Sequence, residues 1–205
     1  MFLFTLIQVG AVSIAFEKLG LTAGSGMLLL LSCIAGSLIN MPLFQMQASA
    51  PARPDQPPSP MPWLQRLQQP FEGKTVVCIN LGGAIIPVAF SVYLLVTQPV
   101  PLVPVVLAIM GQSAVCYFFS RPIPGMGIGM PILIAPVAAA VLAVMLGGEY
   151  SAPIAYIAGT LGVLLGADLF RIKNIRELGV PMASIGGAGT FDGVFITGIV
   201  AVLLA

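Results

Sequence analysis

Ile154-Ala155-Tyr156-Ile157-Ala158-Gly159-Thr160-Leu161-Gly162-Val163-Leu164-Leu165-Gly166-Ala167-Asp168 is an apolar run that ends on a carboxylate. Uncharged up to Asp168, it reads as part of a membrane-spanning helix. Its small residues fall at helical spacing, Ala155 and Gly159 on one ridge and Ala158, Gly162 and Gly166 on another, which lets neighbouring helices approach closely. A charge in hydrocarbon costs from about 3 to above 10 kcal/mol, so an Asp at the end of such a run calls for a functional explanation.

The rest of the chain is of the same kind. Of 205 residues, 58% are hydrophobic and only 7% charged, and the mean hydropathy is +1.04, which is the composition of a polytopic membrane protein. Apolar runs bounded by charge or by Pro/Gly turns predict seven spans, at about 1–16, 21–44, 75–97, 101–120, 127–147, 152–170 and 182–205. The first is short, but without a basic leader or a small-x-small cleavage site it reads as a span and not as a signal peptide. The expected fold is therefore an all-α transmembrane helix bundle. Residues 1–46 supply two N-terminal helices, 47–74 a Pro-rich cytoplasmic linker, and 75–205 a five-span core. Within the linker, Trp63-Leu64-Gln65-Arg66-Leu67 reads as a short interfacial piece.

Basic residues orient the bundle. Arg53, Arg66, Lys74, Arg121, Arg171, Lys173 and Arg176 fall on one side and only Lys18 on the other, which puts the N-terminus in the cytoplasm and the chain in the inner (cytoplasmic) membrane as a multi-pass protein. The lipid bilayer is the first partner. A net charge of +1 with no basic run argues against nucleic acid. The absence of His removes His-ligated metals, Ser-His-Asp triads and His relays, and Cys33, Cys78 and Cys116 each sit inside an apolar run as small hydrophobes. No metal or cofactor is expected, and proton chemistry falls to carboxylates.

Four polar features gather toward the cytoplasmic half. Asn80 enters the third span in Ile79-Asn80-Leu81-Gly82-Gly83-Ala84-Ile85-Ile86-Pro87, as interhelical glue or as a site contact. The loop from Arg121 to Pro131 is rich in Pro and Gly and suits either a re-entrant, cavity-lining segment or a plain turn. Asp168 precedes Arg171 by three residues, a spacing that allows an ion pair. Asp192 follows Gly186-Gly187-Ala188-Gly189-Thr190-Phe191, where a continuous helix is not expected. A last span broken at this stretch, with Thr190 or Asp192 capping a half-helix 193–205, accounts for these residues. The candidate catalytic residues are thus Asp192 and Asp168, and the candidate binding residues Asn80, Gly186, Gly187, Gly189 and Thr190.

Ile185-Gly186-Gly187-Ala188-Gly189-Thr190-Phe191-Asp192-Gly193-Val194-Phe195, with Gly166-Ala167-Asp168-Leu169 and the Asn80 segment upstream, resembles a family of prokaryotic multi-pass membrane proteins catalogued as a domain of unknown function, over about residues 75–205. More loosely, the Asp pair resembles that of presenilin-type intramembrane aspartyl proteases and prepilin peptidases, in which the second Asp follows Gly-x-Gly. Phe191 replaces the second glycine here, and the Pro-Ala-Leu element of the presenilins is missing.

Three readings stay open on sequence alone. In the first, Asp168 and Asp192 share a proton and hydrolyse a peptide or membrane-protein substrate, since neighbouring carboxylates cannot both ionise easily. In the second, Asp192 with Asn80 and loop carbonyls forms an ion or small-solute site of a transporter or channel. In the third, the chain is a non-catalytic subunit, packed as a homo-oligomer or in a larger membrane complex.

Overall fold

A computed structural model describes residues 2–49, 73–123, 127–187 and 193–205. Helix α1 (Phe2–Lys18) and α2 (Ala23–Ser37) are followed by strand β1 (Asn40–Gln47) and β2 (Lys74–Asn80). A π-helical turn, Leu81–Ile85, leads into α3 (Ile86–Thr97), and α4 (Leu102–Phe119) comes next. The short strands β3 (Arg121–Ile123) and β4 (Gly127–Gly129) precede α5 (Ile134–Gly147) and α6 (Ser151–Val163), which runs on into a second π-helical turn, Leu164–Leu169. A 3-10 turn (Ile172–Glu177), β5 (Met182–Ile185) and α7 (Gly193–Leu204) complete the described chain.

The fold is thus mostly helical, but an all-α bundle is corrected: β1, β2 and β5 form a three-stranded sheet in the order β1-β2-β5, and β3 pairs with β4. The sheet takes residues from three expected spans. Residues 40–44 close the second, 75–80 open the third and 182–185 open the last, and each forms strand where helix was expected. The cause is plain in β2. Its Val76-Val77-Cys78-Ile79 is apolar throughout because β2 is the central strand, and such a run has the hydropathy of a helix end. Asn40 pairs opposite Asn80 in the antiparallel β1–β2 ladder, whereas β5 runs parallel to β2 with Val76 opposite Met182 and Ile79 opposite Ile185.

Helix α6 is the hub. Pro153 through Thr160 are all buried, and α3, α4, α5 and α7 pack around them. The small residues permit this on more than one side. A methyl group on Gly159 would lie 3.3 Å from Gly198 Cα of α7 and 3.5 Å from Ala139 Cβ of α5. On Gly162 it would strike the Gln112 side chain, and on Gly166 the Ser113 carbonyl of α4.

Two helical stretches, Leu102–Phe119 and Ile134–Leu169, are long and apolar enough to cross a membrane. The second reverses on itself at Gly148, where φ is +54°, so that Gly159 comes to face Ala139. The segments Gly10–Lys18 and Ala23–Ser37 meet at 105°, and Leu81–Thr97 and Val194–Leu204 are shorter apolar helices. One end of the bundle is tied by hydrogen bonds from Lys18 Nζ to Val202 O at 3.3 Å, from Gln98 Nε2 to Leu19 O at 2.8 Å and from Ser151 Oγ to Ala205 O at 3.5 Å. The other end carries both sheets and, with them, Lys74, Arg121, Arg171, Lys173 and Arg176.

Candidate functional site

Backbone geometry at the sheet-bearing end begins with Asn80. Its Oδ1 accepts the Gly83 N–H at 2.7 Å and so caps the π-helical turn, while Nδ2 donates to Ser37 O at 2.7 Å and to Asn40 Oδ1 at 3.0 Å. Ser184 Oγ of β5 donates to the same Asn40 Oδ1 at 2.7 Å. Every polar atom of the Asn80 side chain is therefore engaged in joining α2, β1 and the turn, with β5 linked through Asn40. The turn lies backbone to backbone on α2, since a methyl group on Gly82 would strike Cys33 O and Ser37 N.

β5 brings the glycines to this turn. Gly186 and Gly187, at φ +78° and +94°, end the strand in a conformation that favours glycine. A methyl group on Gly186 would lie 2.7 Å from both Ala84 Cβ and Gly83 C. The Gly186 N–H donates to Asp168 Oδ2 at 2.8 Å, and the Gly187 N–H to Ser184 O at 3.3 Å. Asp168 itself sits in the second π-helical turn, whose extra residue shows in the bond from Phe170 N–H to Leu165 O, five positions back. One added residue rotates the downstream side chains by about 100°, and π-turns of this kind are frequent at functional sites.

Arg171 goes elsewhere than its i,i+3 spacing from Asp168 indicates. One guanidinium nitrogen donates to Tyr117 O at 2.6 Å, Nε donates to Ser120 Oγ at 3.3 Å, and the group lies 4.4 Å over the Tyr117 ring. It thereby caps the carbonyl end of α4, where a cation is favoured. Tyr117, Phe118, Phe119 and Phe170 are exposed around it, the arrangement of an interfacial aromatic belt.

Asp168 opens onto a cavity of about 560 Å³, within the range of ligand sites. Ala135 and Pro136 of α5, Val163 of α6, Ala167 of the π-helical turn that follows it and Thr197 of α7 line its inner part, and all four residues of β5 line one flank. Gly127 and Ile128 of β4, with Met130 and Pro131, line another, so the Pro/Gly-rich loop is a cavity wall and more than a plain turn. Among the described residues Asp168 is the one charged side chain of the lining.

Of the residues singled out in the sequence, Asn80, Gly186, Gly187 and Asp168 thus meet at one place. Gly189, Thr190 and Asp192 lie outside the described residues, as do the linker 50–72 and its Trp63 segment. Asn40 and Ser184, which complete the amide network, carry little signal in sequence. Gln112 carried one, a lone amide inside an apolar run; fully buried in α4, it donates to Ala135 O beside the cavity at 2.9 Å.

Residues 34–204 match the family described as "Protein of unknown function (DUF1614)", and the chain belongs to that family. The match begins upstream of the stretch that carries the resemblance in sequence and takes in part of α2 and all of β1, the elements that Asn80 binds. No curated protein and no solved structure matches the chain.

Proposed function

We propose that this member of the family is a multi-pass protein of the cytoplasmic (inner) membrane, N-terminus inside, and that its cavity is the site of an intramembrane aspartyl hydrolase acting on peptide bonds. Asp168 is one carboxylate of the pair. Asp192, two residues before Val194 of the cavity wall, is the other. In this reading one carboxylate takes a proton from water as the water oxygen attacks the peptide carbonyl, and the other protonates the carbonyl oxygen. The C–N bond then breaks and the nitrogen leaves with a proton.

The observation that carries this reading is a carboxylate, Asp168, in a cavity whose described lining is otherwise uncharged. Its described lining belongs to the basic, sheet-bearing half, and next to Val163, Ala135 and Thr197 in the helices lies the close contact of Gly159 with Gly198 and Ala139. A transport route needs access to both faces, whereas a hydrolytic site needs access to one. A purely structural subunit has no use for an apolar cavity that contains a carboxylate.

The test uses the full chain in liposomes. A hydroxyl-bearing peptide isostere that mimics the tetrahedral intermediate is expected to bind tightly, and Asp168→Asn and Asp192→Asn are each expected to abolish cleavage of a quenched-fluorescence peptide library. Asp168-dependent ion or solute flux without cleavage would overturn the reading in favour of transport. Full cleavage by either variant would remove the dyad.

A further inference from the structure

Among the described residues the three-stranded sheet has an unpaired edge at β5, and the cavity runs along it. Successive residues of a strand point to opposite faces, yet Met182, Ala183, Ser184 and Ile185 all line the same cavity. That happens when the cavity lies beside the backbone, on the side of β5 away from β2.

The phase of the β2–β5 ladder identifies the groups on that side. Val76 N–H donates to Pro181 O at 3.0 Å, and Val76 stands opposite Met182. In a parallel ladder Ala183 and Ile185 then bond to β2, and the N–H and C=O groups of Met182 and Ser184 point into the cavity. Ser184 O takes the Gly187 N–H. Among the described residues, the N–H groups of Met182 and Ser184 and the carbonyl of Met182 have no hydrogen-bond partner.

We propose that this edge binds an extended, mainly apolar polypeptide segment by strand addition, so that the segment becomes a fourth strand of the sheet and one of its peptide bonds lies beside Asp168. Main-chain groups two residues apart are what an added strand recognises. The four residues of β5 span about 13 Å, enough to register about four residues of the bound segment. The remaining walls, including Ile128, Met130, Ile175 and Leu178, are apolar and select apolar side chains. Gly186 follows Ile185 directly and holds the Asp168 carboxylate at 2.8 Å, which fixes where along the bound strand the carboxylate lies. This names the substrate class of the hydrolytic site and rests on that reading for turnover, though not for binding.

Backbone N-methylation of the ligand tests it. The probe is a fluorescent octapeptide of alternating valine and alanine, acetylated at its N-terminus, with binding to the full chain in nonionic micelles read by anisotropy against empty micelles. A version N-methylated at every second residue keeps one clean hydrogen-bonding edge and is expected to bind within about threefold of the unmodified peptide. A fully N-methylated version has no N–H to offer and is expected to bind about tenfold or more weakly, the loss of two or so hydrogen bonds. N-methylation makes a peptide more apolar, so an acyl-chain-like apolar site predicts the reverse order. Equal or tighter binding of the fully methylated peptide, or no binding of the unmodified one, overturns strand addition.

On the protein side, Met182→Pro removes an outward N–H that β2 does not use. It is expected to weaken binding several-fold without unfolding the chain, because proline is tolerated on an edge strand. Cleavage by the wild-type chain, measured beside its binding, separates the two proposals. Methylation-dependent binding by a chain that never cleaves leaves strand addition standing and removes the hydrolase, whereas cleavage with methylation-independent binding does the opposite.

Discussion

Gly186→Ala tests the junction on which the site depends. Two glycines of the chain, Gly73 and Gly186, share a φ of +78°, but no described residue lies within 4 Å of a methyl group built on Gly73, whereas one on Gly186 would lie 2.7 Å from Gly83 C and 2.8 Å from Ala84 N. Both substitutions incur the left-handed backbone penalty of about 1–2 kcal/mol. Only Gly186→Ala adds overpacking against main chain, another 1–3 kcal/mol or so, because a backbone cannot turn aside as a flexible side chain can. At about 2–4 °C per kcal/mol for a chain of this size, Gly73→Ala should lower the melting temperature by about 2–8 °C and Gly186→Ala by about 4–20 °C. Cys33, Cys78 and Cys116 are all buried, so a thiol-reactive dye reports unfolding directly in detergent. Ala84→Gly in the Gly186→Ala background removes the Ala84 Cβ contact but leaves the two backbone contacts, and is expected to restore only part of the loss. Equal shifts for the two single variants would refute the close approach of β5 to the π-helical turn, and with it the placement of Gly186 against Asp168.

Asn80→Ala removes the cap of that turn and strands the groups its amide satisfied, a loss of about 2–4 kcal/mol by the same assay; Asn80→Asp keeps the acceptor for Gly83 N–H and should retain more stability. Gly82→Ala places a methyl group against the main chain of α2 and should be far more disruptive than Gly111→Ala, whose methyl group meets only the movable Leu142 side chain at 3.2 Å. Arg171→Lys keeps the charge but loses the planar group that lies over Tyr117 while it bonds Tyr117 O and Ser120 Oγ, and should cost about 1 kcal/mol of thermal stability.

Legibility in the sequence followed the range of the forces involved. Helices α4 and α6 were readable because an apolar run bounded by Pro or charge is a local signal, and the small-residue ridges of α6 foretold its close contacts. The sheet was not, because β2 and β5 are joined across roughly a hundred residues and neither has a periodicity that separates a short apolar strand from a helix end. The glycine stretch did announce a break before a helix that starts at Gly193, but the half preceding it is the strand Met182–Ile185 and not helix. Asp168 was found from its cost in an apolar setting, whereas its link to Gly186 depends on where β5 lies. The i,i+3 spacing to Arg171 allowed a local pair, but the guanidinium bonds the distant Tyr117 O and Ser120 Oγ at the end of α4.

The two edges of the three-stranded sheet are treated differently by the sequence, and the difference bears on what β5 is for. β1 carries Pro42, which cannot donate, and a register irregularity between Pro42 and Phe44, two devices by which proteins blunt an edge against unwanted pairing. β5 has neither: Met182-Ala183-Ser184-Ile185 holds no proline and no charge, and it pairs with β2 in unbroken register. An open edge is an aggregation hazard wherever any strand can reach it. At β5 that hazard is limited by position, because the edge lies along a cavity lined by residues of α5, α6, α7 and β4. A sheet that served only to tie helices together would gain from blunting both edges. One blunted edge and one sheltered, uncharged edge beside a carboxylate is the combination expected of the strand addition proposed above.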